Sequence, residues 1–132
     1  MFSEENKIVN LEALQRILED CRKRNKKIVW TNGCFDILHI GHINYLKEAK
    51  NFGDVLIVGL NSDGSVEKLK GADRPIQTED ERAEILASLT FVDYILIFPE
   101  LNVEKYLKEL KPEIYVKGGD YSIDYLYNFI EG

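Results

Sequence analysis

Residues 31–42 read TNGCFDILHIGH and lie between a predicted strand and a predicted helix. The preceding residues 27–31 are mostly apolar and β-branched, as in a buried strand, and residues 41–51 carry apolar side chains at helical spacing. In open parallel α/β sheets, ligands bind at the carboxyl ends of strands, and a helix N-terminus offers N–H groups to an anion. The segment therefore predicts a phosphate site at a strand-to-helix turn.

Two glycines and two histidines in this segment favour contact with a phosphate. Gly33 and Gly41 let the main chain approach a ligand closely. His39 and His42 are three residues apart, so their rings project to the same side of the first helical turn and could flank one phosphate. They could instead cap the helix or bind a metal, but the strand before them and the helix after them favour the phosphate role.

The composition is that of one soluble enzyme domain. The chain has 132 residues, 45% apolar and 30% charged, and we expect a single domain over residues 1–132, with a first helix at about 10–25 and a core at about 27–132. The net charge of −6 argues against nucleic-acid binding and requires any phosphate site to be locally basic. No apolar run is long enough to span a membrane and the amino end does not resemble a signal peptide, so we expect a cytoplasmic protein.

The two cysteines, Cys21 and Cys34, are too few for a disulfide framework. Cys34 lies in the predicted turn within residues 31–42, and its position there makes it a candidate nucleophile. It has no obvious base partner, which argues against that role.

Strands and helices alternate along the rest of the chain. Asn10 can cap a first helix, and the basic residues 22–27 suit the negative end of its dipole. The sequence further predicts strands at residues 55–60, 94–98 and 114–117, and helices at residues 102–110 and 122–130. This order predicts a doubly wound α/β fold with a parallel sheet and a site at the switch point beside the first strand.

Two further groups of polar residues follow predicted strands. Asn61, Ser62 and Asp63 come after the second strand, where they could cap a short helix or face the same crevice as the histidines. Residues 117–120, Lys-Gly-Gly-Asp, follow the fourth strand. The paired glycines would admit a flat ligand and the aspartate could accept hydrogen bonds from a sugar, although a simple tight turn is the alternative.

Cations gather in the middle of the chain. Lys70 and Arg74 lie in a Gly- and Pro-punctuated loop, an unusual concentration for an acidic protein. Residues 78–81, TEDE, form a capping box that opens a helix and places Arg82 on its first turn. Because a cation there opposes the helix dipole, Arg82 is expected to reach an anion.

Four ordered segments resemble a known family. They are NGCFD with HIGH at residues 32–42, GLNSD at 59–63, LKGADRP at 69–75 and VKGGDY at 116–121. Together they resemble the cytidylyltransferase-like nucleotidyltransferases, and among these most closely the bacterial heptose 1-phosphate adenylyltransferases of lipopolysaccharide-core synthesis. The likeness covers most of the chain and implies a Rossmann-like nucleotidyltransferase fold.

The resemblance also implies a role for each candidate residue. The catalytic residues would be His39, His42, Lys70 and Arg82, with the last two offsetting phosphate charge. The nucleotide would be bound by Asn32, Gly33, Cys34, Phe35, Gly41, Lys117, Gly119 and Asp120. The second substrate would be contacted by Asp36, Asn61, Asp63 and Arg74.

The reaction that the resemblance implies is transfer of AMP from ATP to a sugar 1-phosphate, giving an ADP-sugar and pyrophosphate. Mg²⁺ would bridge phosphate oxygens of the substrate, with no dedicated metal ligands on the protein. Transfer of CMP from CTP to an alcohol phosphate such as glycerol 3-phosphate is an alternative, and a nucleotide-binding module without turnover is another. A homo-oligomer or a separate sugar-kinase partner would be compatible with these activities.

The end of the chain departs from the family pattern. Chains of the family continue into another strand and a Ser-Thr-Thr-type motif that contacts the triphosphate, and no such run follows Asp120. We therefore expect this chain to lack that strand and motif, as a truncated or divergent member would.

Overall fold

The structure, a computed structural model, describes residues 4–117 and 123–125. After a short 3-10 helix at Glu4–Lys7, the α-helices of this part are Leu11–Lys23 (α1), Ile40–Asn51 (α2), Asp63–Lys70 (α3), Glu79–Ala87 (α4) and Glu104–Leu110 (α5). The strands are Ile28–Gly33 (β1), Val55–Asn61 (β2), Tyr94–Phe98 (β3), Ile114–Val116 (β4) and Ile123–Tyr125 (β5). None of the described helices is long and apolar enough to cross a membrane.

The sheet has the strand order β3-β2-β1-β4-β5. Strands β1 to β4 are parallel, with Trp30 of β1 opposite both Ile57 of β2 and Tyr115 of β4. The chain runs outward from β1 to β3 and then returns to the other side of β1, so the strand order reverses between β1 and β4. This is the topological switch point at which open α/β sheets bind ligands.

Helices cover both faces of the sheet, which confirms the doubly wound class. Side chains alternate across the strands, so Val29 of β1 faces one core and Trp30 faces the other. The first core includes Leu46 of α2 and Leu86 of α4, and the second includes Leu14 of α1 and Leu107 of α5. Every residue of β2 is buried, as the continuous apolar run predicted.

A glycine in β2 makes room for the largest side chain of the core. A Cβ on Gly59 would lie 2.4 Å from Cζ2 and 2.7 Å from Cη2 of Trp30, far inside normal contact. The fully buried indole therefore packs directly on the main chain of β2. Its Nε1 donates to Asn32 Oδ1 at 3.0 Å, so the buried N–H is satisfied.

The ends of α1 have structural partners. Asn10 caps the helix as predicted, with its Oδ1 accepting from Ala13 N at 2.8 Å. At the basic end, Arg22 Nη2 donates to the carbonyls of Leu110 and, at 2.7 Å, of Lys111. The guanidinium thus satisfies carbonyls at the end of α5, where a helix leaves such groups unpaired.

The prediction of a helix at residues 122–130 is wrong for the part that the structure describes. Ile123–Tyr125 form β5, which pairs antiparallel with β4 through Ile114↔Tyr125 and Val116↔Ile123. Without it, β4 would be an edge strand with a row of unpaired N–H and C=O groups, and Ile and Tyr are good strand formers. A strand therefore does follow Asp120, at the antiparallel edge of an otherwise parallel sheet.

Candidate active site

A cavity of about 1200 Å³ opens at the carboxyl end of β1. Its walls come from the loop after β1, the first turn of α2, the end of α3 and the segment after β3. Gly33 of β1 and Tyr115 of β4 both line it, so the cavity lies at the switch point that the sequence predicted. This volume exceeds the roughly 300–1,000 Å³ usual for small-molecule sites and suits two substrates together.

The first turn of α2 holds the two histidines against each other. His39 is the N-cap, and its Nδ1 accepts a hydrogen bond from Gly41 N at 3.0 Å. The N–H of His39 in turn donates to His42 Nδ1 at 3.3 Å. The two rings are stacked with centroids 3.9 Å apart, and both line the cavity. The predicted placement of both rings on one side is confirmed, and the capping role occurs together with it.

Gly41 provides the space that this stack requires. A Cβ at Gly41 would lie 2.8 Å from His39 Cε1 and 3.0 Å from its Nδ1. The histidine ring would have to move if any other residue stood there. Gly41 is needed here for close approach of a side chain, since its φ does not lie in the left-handed region.

The hydrogen bonds determine which ring nitrogen carries the proton. Because both Nδ1 atoms accept a backbone N–H, the proton of each neutral ring is on Nε2. Burial, and to a lesser extent the neighbouring His39, lowers the pKa of His42 below its ordinary value. At neutral pH His42 is therefore an uncharged Nε2–H donor on the cavity wall.

The turn between β1 and α2 has an unusual backbone at Phe35. Its φ is 46°, in the left-handed region, whereas Gly33 does not have a positive φ. The Phe35 side chain is buried and meets the His42 ring edge-on, with centroids 5.4 Å apart. The Phe35 side chain thus packs against the core and His42 while its backbone adopts a conformation that favours glycine.

Cys34 lies beside Phe35 and lines the cavity. Burial raises the pKa of its thiol, and this effect outweighs the nearby Lys70 and Arg82, which lower it. The thiol form therefore dominates at neutral pH, and thiols are weak nucleophiles. This argues against covalent catalysis by Cys34.

Two cations line the same cavity as the histidines. Lys70 is the last residue of α3 and not part of an irregular loop, and Arg74 follows in the connection to α4. Of the described residues that line the cavity, one is acidic, Asp36. Its Oδ2 lies 3.0 Å from Arg74 Nη1. The site is thus locally basic within an acidic protein, as expected.

Arg82 is placed behind the cavity wall. Its side chain is fully buried, and it donates to the carbonyls of Gln77, Cys34 and Asn61 at 2.7–3.0 Å. Its Nη2 also donates to Asp63 Oδ1 at 2.8 Å. In this arrangement the anion that Arg82 reaches is the Asp63 carboxylate, and neither residue is among those that line the cavity.

The remaining predicted residues divide between the site and the part outside the description. Asn61 is buried and lines the cavity, and Ser62 caps α3 by accepting from Ser65 N at 3.2 Å. Lys117 is half-buried, with its Nζ 5.9 Å from the centroid of the Tyr115 ring. Residues 118–120, and with them the predicted Gly119 and Asp120 contacts, lie outside the described residues.

Sequence reasoning missed one wall of the cavity. It is formed after β3 by Leu101, Asn102 and Val103, together with Phe98 and Tyr115. This wall is apolar and aromatic, so it contrasts with the basic wall that carries Lys70 and Arg74. The rule that ligands bind at strand carboxyl ends would have found it, because residues 99–103 directly follow the predicted third strand.

The described residues do not supply a metal cage. Within residues 4–117 and 123–125, no three His, Cys, Asp or Glu side chains come together at one point. Both histidine Nδ1 atoms already accept backbone N–H groups. The pair is therefore better suited to bind a phosphate than a metal ion.

The fold and the site define a class of protein: an open α/β domain that binds phosphate-bearing substrates with a basic, histidine-containing strand-to-helix turn. Comparison with known proteins agrees with this class. Residues 30–131 match the family model described as cytidylyltransferase-like. The chain therefore belongs to the cytidylyltransferase-like family and is a nucleotidyltransferase domain, as its sequence predicted.

Individual relatives are similar over most of this chain. It is 57% identical over 114 residues to the "Bifunctional protein HldE" of a Nitratiruptor species, covering 86% of this chain and 25% of the relative. It is 55% identical over 116 residues to the protein of the same name from Geobacter metallireducens, covering 88% and 24%. The chain thus spans about a quarter of the length of these curated relatives.

A solved structure supports the same fold. The lipopolysaccharide core biosynthesis protein from Thermoplasma volcanium superposes with a TM-score of 0.62 and 37% sequence identity. The match covers 68% of this chain and 72% of that one.

Proposed function

We propose that this domain transfers AMP from ATP to a sugar 1-phosphate, heptose 1-phosphate in particular, and releases pyrophosphate. The observation that carries the proposal is the pair of stacked histidines, which present Nε2 donors to a cavity that Lys70 and Arg74 also line. Uncharged and charged donors around one concave site are what a triphosphate undergoing displacement requires.

In the proposed reaction, an oxygen of the acceptor phosphate attacks the α-phosphorus of ATP. The bond from that phosphorus to the bridging oxygen breaks, and the oxygen leaves with pyrophosphate. The His39 and His42 N–H groups stabilise charge that builds on the α-phosphate oxygens, and Lys70 and Arg74 offset charge on the leaving group. Mg²⁺ enters on the triphosphate as part of the substrate. No protein nucleophile is required, which agrees with Cys34 being held as a thiol.

The contrast between the two cavity walls suggests how the substrates are oriented. Phosphates belong on the wall of histidines and cations, and the base or sugar belongs on the wall of Phe98, Leu101 and Tyr115. The choice of ATP and of heptose is supported by the motifs that resemble heptose 1-phosphate adenylyltransferases. A role in lipopolysaccharide-core synthesis is supported by the name of the solved structure. We also propose that the reaction takes place in the cytoplasm.

The test is pyrophosphate release from ATP and from CTP, each with heptose 1-phosphate and with glycerol 3-phosphate. Activity is expected with ATP and heptose 1-phosphate. Activity with CTP alone would overturn the adenylyl assignment and favour the cytidylyl alternative. If calorimetry shows that ATP binds but no acceptor leads to pyrophosphate release, nucleotidyl transfer is refuted. The domain would then be a nucleotide-binding module without turnover.

A variant of the histidine pair tests the mechanism. We expect His42→Ala to lower kcat by about a hundredfold while ATP binding is largely retained, because removing one transition-state donor costs roughly that much. Asn44→Ala is the matched control, since Asn44 is exposed on the same helix and does not line the cavity. Equal losses in the two variants would contradict the assigned role of His42.

A further inference from the structure

The carboxylate of Asp36 is saturated by protein donors. Oδ1 accepts from Ile76 N at 2.9 Å and from Gln77 N at 3.0 Å. Oδ2 accepts from Arg74 Nη1 at 3.0 Å and shares the Ile76 N–H at 2.9 Å. The side chain is only 11% exposed although it lines the cavity. A carboxylate has about four acceptor positions, so little capacity is left for a substrate.

These bonds connect two distant parts of the chain. Asp36 belongs to the turn that leads into His39, and its partners lie 38 to 41 residues further on, in the connection between α3 and α4. That connection carries Arg74 on the cavity wall. Of the hydrogen bonds in the described part of the chain, those that join residues 72–76 to other elements all end on Asp36.

The rest of this connection has little to hold it in place. Residues 71–74 are exposed, and the hydrogen bond that Arg74 N makes to Gly71 O stays within the segment. Beyond Asp36, the next attachment is at Gln77, whose carbonyl accepts from Arg82 Nε at 3.0 Å. Without the carboxylate, no hydrogen bond within the described residues would join residues 72–76, and the guanidinium that they carry, to the turn that leads into the histidines.

We propose that Asp36 is a positioning residue: its carboxylate holds residues 74–77 against the turn after β1, so that Arg74 faces the same cavity as His39 and His42. This assignment replaces the substrate contact that the family resemblance implied for Asp36. Its effect on turnover rests on the proposed function, whereas its effect on the order of the segment does not.

The first experiment needs no substrate. Amide hydrogen exchange of Ile76 and Gln77 is measured in the free chain for the wild type, Asp36→Asn and Asp73→Asn. Because the carboxylate is the acceptor of both N–H groups, we expect Asp36→Asn to speed their exchange by about tenfold or more, since bonds to charged acceptors are among the stronger ones. Asp73 is exposed in the same segment and makes no hydrogen bond within the described residues, so Asp73→Asn should leave the exchange unchanged.

The second experiment is a double-mutant cycle on turnover with Asp36→Asn, Arg74→Ala and the double variant. If Asp36 acts through Arg74, each single variant raises KM by about tenfold and the double variant is no worse than the more severe single one. Losses that multiply in the double variant would show that Asp36 contacts substrate itself and would overturn the proposal.

Unchanged exchange at Ile76 and Gln77 in Asp36→Asn would also overturn it, whether or not the domain turns over ATP. If Asp36→Asn does not fold, Asp36→Glu carries both measurements, because an added methylene keeps the charge but displaces the oxygens from both backbone donors. Faster exchange in a chain that proves inactive would support the positioning role and refute only the proposed function.

Discussion

Replacing Arg82 should destabilise the fold more than any exposed substitution, because its guanidinium joins the ends of two strands. It donates to carbonyls that follow β1 and end β2, to Gln77 before α4, and to the Asp63 carboxylate. Arg82→Met keeps much of the length of the side chain and removes all four bonds.

The expected loss of unfolding free energy in Arg82→Met follows from the burial of the Arg82 side chain. Adding four bonds to a charged donor at about 1.5–3 kcal/mol each would overestimate the loss, because removing a buried cation also removes its desolvation cost. Asp63 is 43% exposed, so water can solvate it once its partner is gone. The three carbonyls are then the main loss, and we expect about 3–5 kcal/mol, a large part of the 5–15 kcal/mol typical of a small domain.

The assay is urea unfolding followed by circular dichroism, with Arg82→Lys and Arg24→Met measured beside Arg82→Met. Arg24 forms an exposed pair with Asp20 at 3.2 Å, so the same substitution there should cost at most about 0.5 kcal/mol. Arg82→Lys should fall between the two, since an ammonium cannot reach all of the acceptors at once. Equal stability of Arg82→Met and Arg24→Met would refute the reasoning.

Three further outcomes are expected. Lys70→Ala should lower kcat/KM about tenfold or more. Lys68→Ala is the control and should leave kcat/KM unchanged, because Lys68 is on the same helix turn but does not line the cavity. Equal losses would point to a general charge effect. Since the pKa of His42 is lowered and the neutral ring is the proposed active form, the acid limb of kcat/KM should have its midpoint below pH 6.5; an acid limb centred above 6.5 would contradict this. Gly59→Ala should cost about 1–3 kcal/mol or more in urea unfolding, because its Cβ would overlap the Trp30 ring, and an unchanged midpoint would count against that packing.

The fold was largely predictable because its elements have clear local signals. Strand β3 has the predicted bounds, Tyr94–Phe98, and α5 begins two residues later than predicted because Asn102 Oδ1 accepts from Glu104 N before the first turn. The exception is β5, which forms because it pairs with the open edge of β4. The local sequence pattern of residues 122–130 does not reveal this pairing.

The candidate site was predictable where function follows from position next to a strand end. The paired histidines, Lys70 and Asn61 are brought to one cavity as expected. What could not be predicted was how polar groups would pair with each other. A buried arginine and a cavity arginine have the same signature in sequence, and only the tertiary contacts separate Arg82, which is fully paired inside, from Arg74, which is 45% exposed.

The residues before α1 protect the far edge of the sheet. Ile8 bridges to Ile95 of β3 in parallel, Val9 N donates to Ile95 O at 3.0 Å, and Lys7 Nζ donates to Leu89 O at 3.0 Å. If residues 1–9 were removed, the sequence YILIF of β3 would present an open, apolar edge on which a second copy could add a strand. A protein preparation that trims this leading segment would thus be expected to aggregate, even though every residue of the cavity is intact.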